Sequence, residues 1–163
     1  MTLGLSPGTF TLFHVILSLL GIAAGAVVVI RMIDGHRLGG TNVIFLVTTI
    51  ATSVTGFMFP FKAIGPPHIV GAISLVVLAV ALAARYVGYL DGAWRWLYVA
   101  SALVALYLNV FVAVVQAFAK IGFLHKFAPT GSEPPFAVAQ GVVLVLFVVL
   151  GFYAVKRFHP GRT

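Results

Sequence analysis

The chain has 163 residues, of which 61% are hydrophobic and 8% charged, and its mean hydropathy is +1.14. A soluble domain carries about 25% charged residues, so this composition excludes an ordinary soluble globule and points to a membrane protein. The formal net charge of +7 sits at the ends of apolar runs, where basic residues set topology, so nucleic acid is not an expected partner. Cysteine is absent, which excludes disulfides, thiolate metal sites and covalently attached c-type haem.

Five apolar segments follow one another, over residues 10–31, 42–63, 68–90, 94–122 and 135–156. Each is near or above the ~20 residues that a membrane-crossing helix needs. The first contains Ala23-Ala24-Gly25-Ala26, which looks like a leader cleavage site. No Lys or Arg precedes this run and it continues through Val27–Ile30, so it reads as an uncleaved span. Gly21 and Gly25 on it form a small-residue ridge suited to close helix contact or self-association. The second segment carries Thr48, Thr49, Thr52, Ser53 and Thr55, hydroxyls that either bond back to their own helix or line a ligand. The breaks are Asp34–Gly40, Gly65-Pro66-Pro67, Asp91-Gly92 and Ala128–Pro135, all rich in turn residues. The fourth segment organises the rest. Aromatic Trp94, Trp96 and Tyr98 open it, and Ser101, Ala105, Asn109, Gln116 and Lys120 recur at helical spacing down one side. Amides facing lipid would lack hydrogen-bond partners, so this stripe should look into a bundle.

The expected fold is therefore all-α: one integral membrane domain over residues 1–163, a five-span helical bundle. With the N-terminus outside and the C-terminus inside, Arg31, Arg37, Arg85, Arg95, Lys156, Arg157 and Arg162 fall inside, and Lys62, Lys120 and Lys126 outside. The positive-inside rule selects that orientation.

Given this topology, polar residues gather in the outer half: His14, Thr52, Thr55, His68, Asn109, Gln116 and Gln140, with Lys62, Lys120 and Lys126 at the rim. That asymmetry suggests an outward-facing pocket for a small molecule, lipid or cofactor, or a face that packs against partner subunits. His14 and His68 lie at comparable depth on two helices, as axial ligands of haem b would, with the rim lysines placed to meet its propionates. A copper site would add Met58 to the two histidines, and inter-helix hydrogen bonding alone explains the same residues. His36 and His159 read as solvated loop residues. No Asp or Glu lies within a span, and there is no G-x-S-x-G or H-E-x-x-H, so coupled transport and hydrolysis find no support. Glu133, before Pro134-Pro135, reads as the start of the last helix.

Tyr107-Leu108-Asn109-Val110-Phe111, Gln116-Ala117-Phe118 and Ser132-Glu133-Pro134-Pro135-Phe136 resemble a group of small uncharacterised proteobacterial membrane proteins. That resemblance implies a bacterial inner membrane and no particular activity. His14, the His36-Arg37-Leu38-Gly39 turn and His68 with Gly71 are similar to membrane proteins related to cytochrome b561, in which histidine pairs hold haem b between helices. The likeness covers roughly residues 14–90 and lacks that family's four haem histidines, which leaves room for one haem. The expected function is a non-enzymatic membrane protein with an outer polar pocket, the alternative a single-haem b-type redox protein ligated by His14 and His68.

Overall fold

A computed structural model describes residue 4 and residues 6–59 and 65–159. Among these the regular secondary structure is all helical: α1 (Pro7–Ile33), α2 (Gly39–Gly56), α3 (Pro66–Tyr86), α4 (Ala93–Lys120), the single turn α5 (Gly122–His125) and α6 (Pro134–Arg157). Four of them, α1, α3, α4 and α6, are long and apolar enough to cross a membrane. The helix ends follow local chemistry. Ser6 caps α1 by accepting from the Thr9 N–H at 3.2 Å, with Pro7 at the first helical position. At its other end Gly35 takes a φ of +73°, and the Gly35 and His36 N–H groups return to the Met32 and Arg31 carbonyls. That pairing satisfies carbonyls the helix leaves open, and only glycine adopts the left-handed turn at little cost.

The second segment is shorter than expected. Its helix stops at Gly56, where the Phe57 and Met58 N–H groups tighten onto the Val54 and Thr55 carbonyls. Pro60, four residues on, has no N–H to give the Gly56 carbonyl, so the apolar run outlasts the helix. Residues 60–63 of that segment lie outside the described residues. The fourth segment breaks at Ile121, which is extended, before α5. The third ends at Tyr86 rather than residue 90, because residues 87–92 form the turn into α4.

Glu133 caps the start of α6. Its carboxylate turns back to accept from the Thr130 N–H at 3.0 Å, the Thr130 hydroxyl at 2.9 Å and the Ser132 N–H at 3.1 Å. These bonds, foremost that from the Thr130 N–H, favour the ionised form and hold the carboxyl down to about 2 from an ordinary 4.5. The brace is complete above pH 4.5 and is lost as pH falls through about 2. The Thr130 and Ser132 amide resonances in micelles should therefore titrate near pH 2, and in E133Q they should show no such step.

Successive helices run in opposite directions. The end of α1, the start of α2, the start of α4 and the end of α6 meet at one end, where the Asn42 side chain bonds Tyr98 and Arg95 bonds the carbonyls of Val155 and Phe158. Arg31, Arg85, Arg95, Lys156 and Arg157 all belong to this Arg-rich end. At the opposite end His14 meets Thr55, and Phe118 meets Phe136 with ring centroids 5.5 Å apart. Helix α4 touches each of the other five helices. Of its most apolar stretch 44% is buried, against 6% for α6. The central position expected for the fourth segment is thus what the bundle shows.

The burial is uneven along the axis. Helix α4 buries Tyr98, Val99, Ser101, Ala102, Leu103, Ala105, Leu106 and Asn109, and no residue from 110 to 120. In α3 the buried residues are Ser74, Leu78, Ala81 and Ala84, and in α6 Ala154 alone. Packing is dense toward the Arg-rich end and thins toward the other.

Candidate functional site

The polar residues expected near the His14 end do lie there, but the structure pairs most of them across helix contacts instead of opening them onto a shared cavity. His14 Nδ1 stands 2.8 Å from Thr55 Oγ1. The Thr55 hydroxyl already donates to the Ala51 carbonyl at 2.7 Å, so the shared proton belongs to His14 Nδ1, which donates to Thr55. The imidazole also rests edge-on against Phe59, centroids 5.1 Å apart. This clasp joins α1 to α2. A second joins α1 to α4: the Ser18 hydroxyl donates to Asn109 Oδ1 at 2.7 Å, and Asn109 Nδ2 donates to the Ser18 carbonyl at 3.4 Å. A third joins α6 to α4, with Gln140 Nε2 donating to the Phe111 carbonyl at 3.1 Å while Gln140 Oε1 stays buried without a partner.

Thr52 donates back to the Thr48 carbonyl at 2.8 Å, the local bond that hydroxyls make in apolar helices. Gln116 is exposed, as are Lys120 and Lys126. Lys62 lies outside the described residues. Gln116 thus leaves the buried stripe that holds Ser101, Ala105 and Asn109. A shallow recess at the opposite end is lined by Ile33, Asp34, Gly35, His36 and Arg157, and contains none of the expected site residues.

The geometry does not fit an axial histidine pair. Helix α2 packs against both α1, which carries His14, and α3, which carries His68, and those two helices do not touch each other. His14 lies against Thr55 and Phe59, whereas His68 lies near Phe57, centroids 5.9 Å apart. His68 Nδ1 accepts from the Gly65 N–H at 3.3 Å as part of the α3 cap. That places its proton on Nε2, the atom an iron would need bare. Among the described residues no three His, Cys, Asp or Glu side chains come together as a metal site. Purified protein is expected to lack a Soret band; a band abolished by both H14A and H68A would overturn this reading.

The small-residue ridge is used within the chain. A Cβ on Gly21 would stand 3.1–3.2 Å from Thr49 Oγ1, Asn109 Nδ2 and Thr48 Oγ1, and one on Gly25 would stand 2.6 Å from Leu106 Cδ1 and 2.9 Å from Phe45 Cδ2. Both glycines are buried where α1 meets α2 and α4, so of the two expected uses of the ridge the structure shows close helix contact within the chain. The thinness of glycine lets three backbones approach, and the hydroxyls and amide beside Gly21 fill the crossing.

Sequence reasoning missed the opposite end. Tyr98 and Asn42 are both fully buried and hydrogen-bonded, the phenol donating to Asn42 Oδ1. The Arg85 guanidinium carbon lies 6.0 Å from the Tyr98 ring centroid and 5.6 Å from that of Tyr86. The signal available was positional: Asn42, Arg85 and Tyr98 all fall within about a turn of helix ends that the topology brings together. No protein family, curated protein or solved structure matches the chain.

Proposed function

We propose that the chain is a non-enzymatic integral membrane protein of five spans, N-terminus outside and C-terminus inside, in a bacterial inner membrane, and that its outer half docks a membrane helix of a partner subunit. The observation that carries this reading is the loss of packing beyond Asn109. No residue from 110 to 120 of α4 is fully buried, although several are half-buried against α6, and this stretch carries the exposed Gln116 amide and ends at Lys120. An amide at the edge of the hydrocarbon gains most from a helix that brings a hydrogen-bond partner. The internal pairing of His14, Asn109 and Gln140 favours a docking face over an enclosed pocket, since those groups are already engaged.

The fifth crossing is α2. Its 18 residues reach about 27 Å, close to a ~30 Å hydrocarbon core. It meets α1 through Thr55 at one end and α4 through Asn42 at the other, so it traverses the same slab as its neighbours. Its hydroxyls are less costly there than their number suggests, because Thr48, Thr52, Ser53 and Thr55 donate to carbonyls of their own helix. The clustering of arginines at one end supports the orientation.

A natural absence of cysteine makes the test direct. Gln116→Cys in native membranes, treated with a bismaleimide, should give a cross-linked product containing a second polypeptide, and Val76→Cys on the exposed face of α3 should not. A product with neither, or equally with both, would refute the docking face. A reporter fused after residue 159 should be active only in its cytoplasmic form, and one inserted at Gly131 only in its exported form.

A further inference from the structure

We propose that the recess between the ends of α1 and α6 is a binding site for a phospholipid whose headgroup carries a primary ammonium beside its phosphate, in the leaflet at the Arg-rich end. The recess holds about 550 Å³ and is lined by Ile33, Asp34, Gly35, His36 and Arg157. A carboxylate and a guanidinium thus border one space, yet among the described residues they form no ion pair with each other. Opposite charges held apart around a gap suit a ligand that carries both signs, one for each wall.

The backbone makes the Asp34 wall a place for a cation. Helices α1 and α6 pack on each other and end at the recess, at Ile33 and Arg157, and a Cβ on Gly35 would stand 3.7 Å from the Arg157 carbonyl oxygen. Two helix C-termini therefore converge with their negative ends, where an anion such as Asp34 is disfavoured and a cation is held. An ammonium brings that cation together with N–H groups for the carboxylate. Arg157 supplies the other wall. Its carbonyl accepts from His159 Nδ1 at 3.2 Å, and its guanidinium carbon lies 5.8 Å from the Tyr153 ring centroid. That ring contact steadies the group and leaves its fork of N–H donors for phosphate oxygens. Two neighbouring arginines are engaged elsewhere: Arg31 Nε donates to the Arg37 carbonyl at 2.9 Å, and Arg95 caps the end of α6 through the Val155 and Phe158 carbonyls.

The acyl chains have a place as well. Ile30 and Val27 precede Asp34 by four and seven residues, and Tyr153 and Val149 precede Arg157 by four and eight, so each pair lies on the helix face beneath its charged residue. All four are exposed, and they continue the recess as an apolar seam toward the bilayer centre. The same end exposes Tyr86, Tyr89, Trp94 and Trp96, aromatic side chains that settle at the headgroup level. A trimethylated amine keeps the charge but has no N–H for Asp34, and a glycerol headgroup brings no cation at all. Soluble glycerophosphoethanolamine shares the headgroup chemistry and is the competing source.

The full-length protein, purified in detergent, would be titrated with phosphatidylethanolamine, phosphatidylcholine or phosphatidylglycerol and followed by native mass spectrometry. The expected result is one retained phosphatidylethanolamine, with the other two lipids held about tenfold more weakly. D34N should lose that preference, and R157Q should weaken retention of all three lipids about tenfold. K156Q, which removes the same charge as R157Q from the adjacent position, should retain the adduct. Asp34 and Arg157 are exposed, so neither substitution disturbs the core, and the selectivity of the wild type reads the point without any variant. Equal retention of the three lipids by wild type, or an unchanged preference in D34N, overturns the site. Displacement of the lipid by millimolar glycerophosphoethanolamine overturns the lipid assignment.

Discussion

Replacing Tyr98 with alanine should destabilise the protein by about 3 kcal/mol, measured by unfolding in mixed micelles of increasing denaturing detergent. Tyr98 is fully buried at the start of α4, where α2, α3 and α4 converge. Within a bilayer-embedded bundle the transfer of apolar surface from water contributes little, because lipid is as apolar as the core. The cost comes from the cavity and its lost dispersion contacts, and from stranding Asn42. Asn42 Nδ2 already lacks a partner, and without the phenol its Oδ1 loses one as well. Tyr98→Phe isolates the second contribution: the ring volume stays, the hydroxyl goes, and the expected loss is about 1–2 kcal/mol. Pairing Tyr98→Phe with Asn42→Leu removes both partners together, and should cost less than the two single changes added. Additive losses would mean that the hydrogen bond contributes nothing.

The spans were legible because lipid imposes long apolar runs, and proline and glycine punctuate them. Pro66-Pro67, Gly92 and Pro134-Pro135 mark starts that the structure places within two residues of those expected. The end of α2 was harder to read. Phe57, Met58 and Phe59 continue the apolar run, yet hydropathy does not record that Pro60 withholds a donor from the last turn. Which residues share an end followed from alternation of direction; which residues touch did not, because that requires the rotation of each helix about its axis. Gln116 shows the difference. It lies seven residues from Asn109, nearly on the same face of an ideal helix, and is nevertheless exposed. Its face is right, but the neighbours that bury Asn109 no longer close around α4 at that height. Gly21 and Gly25 illustrate the same limit, since a small-residue ridge fits a neighbour within the chain as well as one outside it.

Gly25→Leu should be among the most damaging single substitutions in the chain, with a loss exceeding about 3 kcal/mol. Even the first added carbon would stand 2.6 Å from Leu106 Cδ1 and 2.9–3.0 Å from the Phe45 ring. Neither neighbour can swing away, since Leu106 and Phe45 are themselves buried in the cluster that joins α1, α2 and α4. Gly25→Ala therefore forces a shift costing about 1–3 kcal/mol, and the leucine pushes α1 off α4 altogether. Separation on that scale also pulls Ser18 from Asn109 two turns away, so the polar clasp fails together with the packing. Gly21→Ala should be milder, because its Cβ would meet Thr48, Thr49 and Asn109 at 3.1–3.2 Å, atoms on side chains that can turn by a few tenths of an ångström. The order Gly25→Leu, Gly25→Ala, Gly21→Ala in loss of stability is what an intramolecular ridge demands. A ridge used between chains would give the opposite pattern: light scattering in detergent would show G25L dissociated to monomer, while the unfolding midpoint of that monomer stayed at the wild-type value.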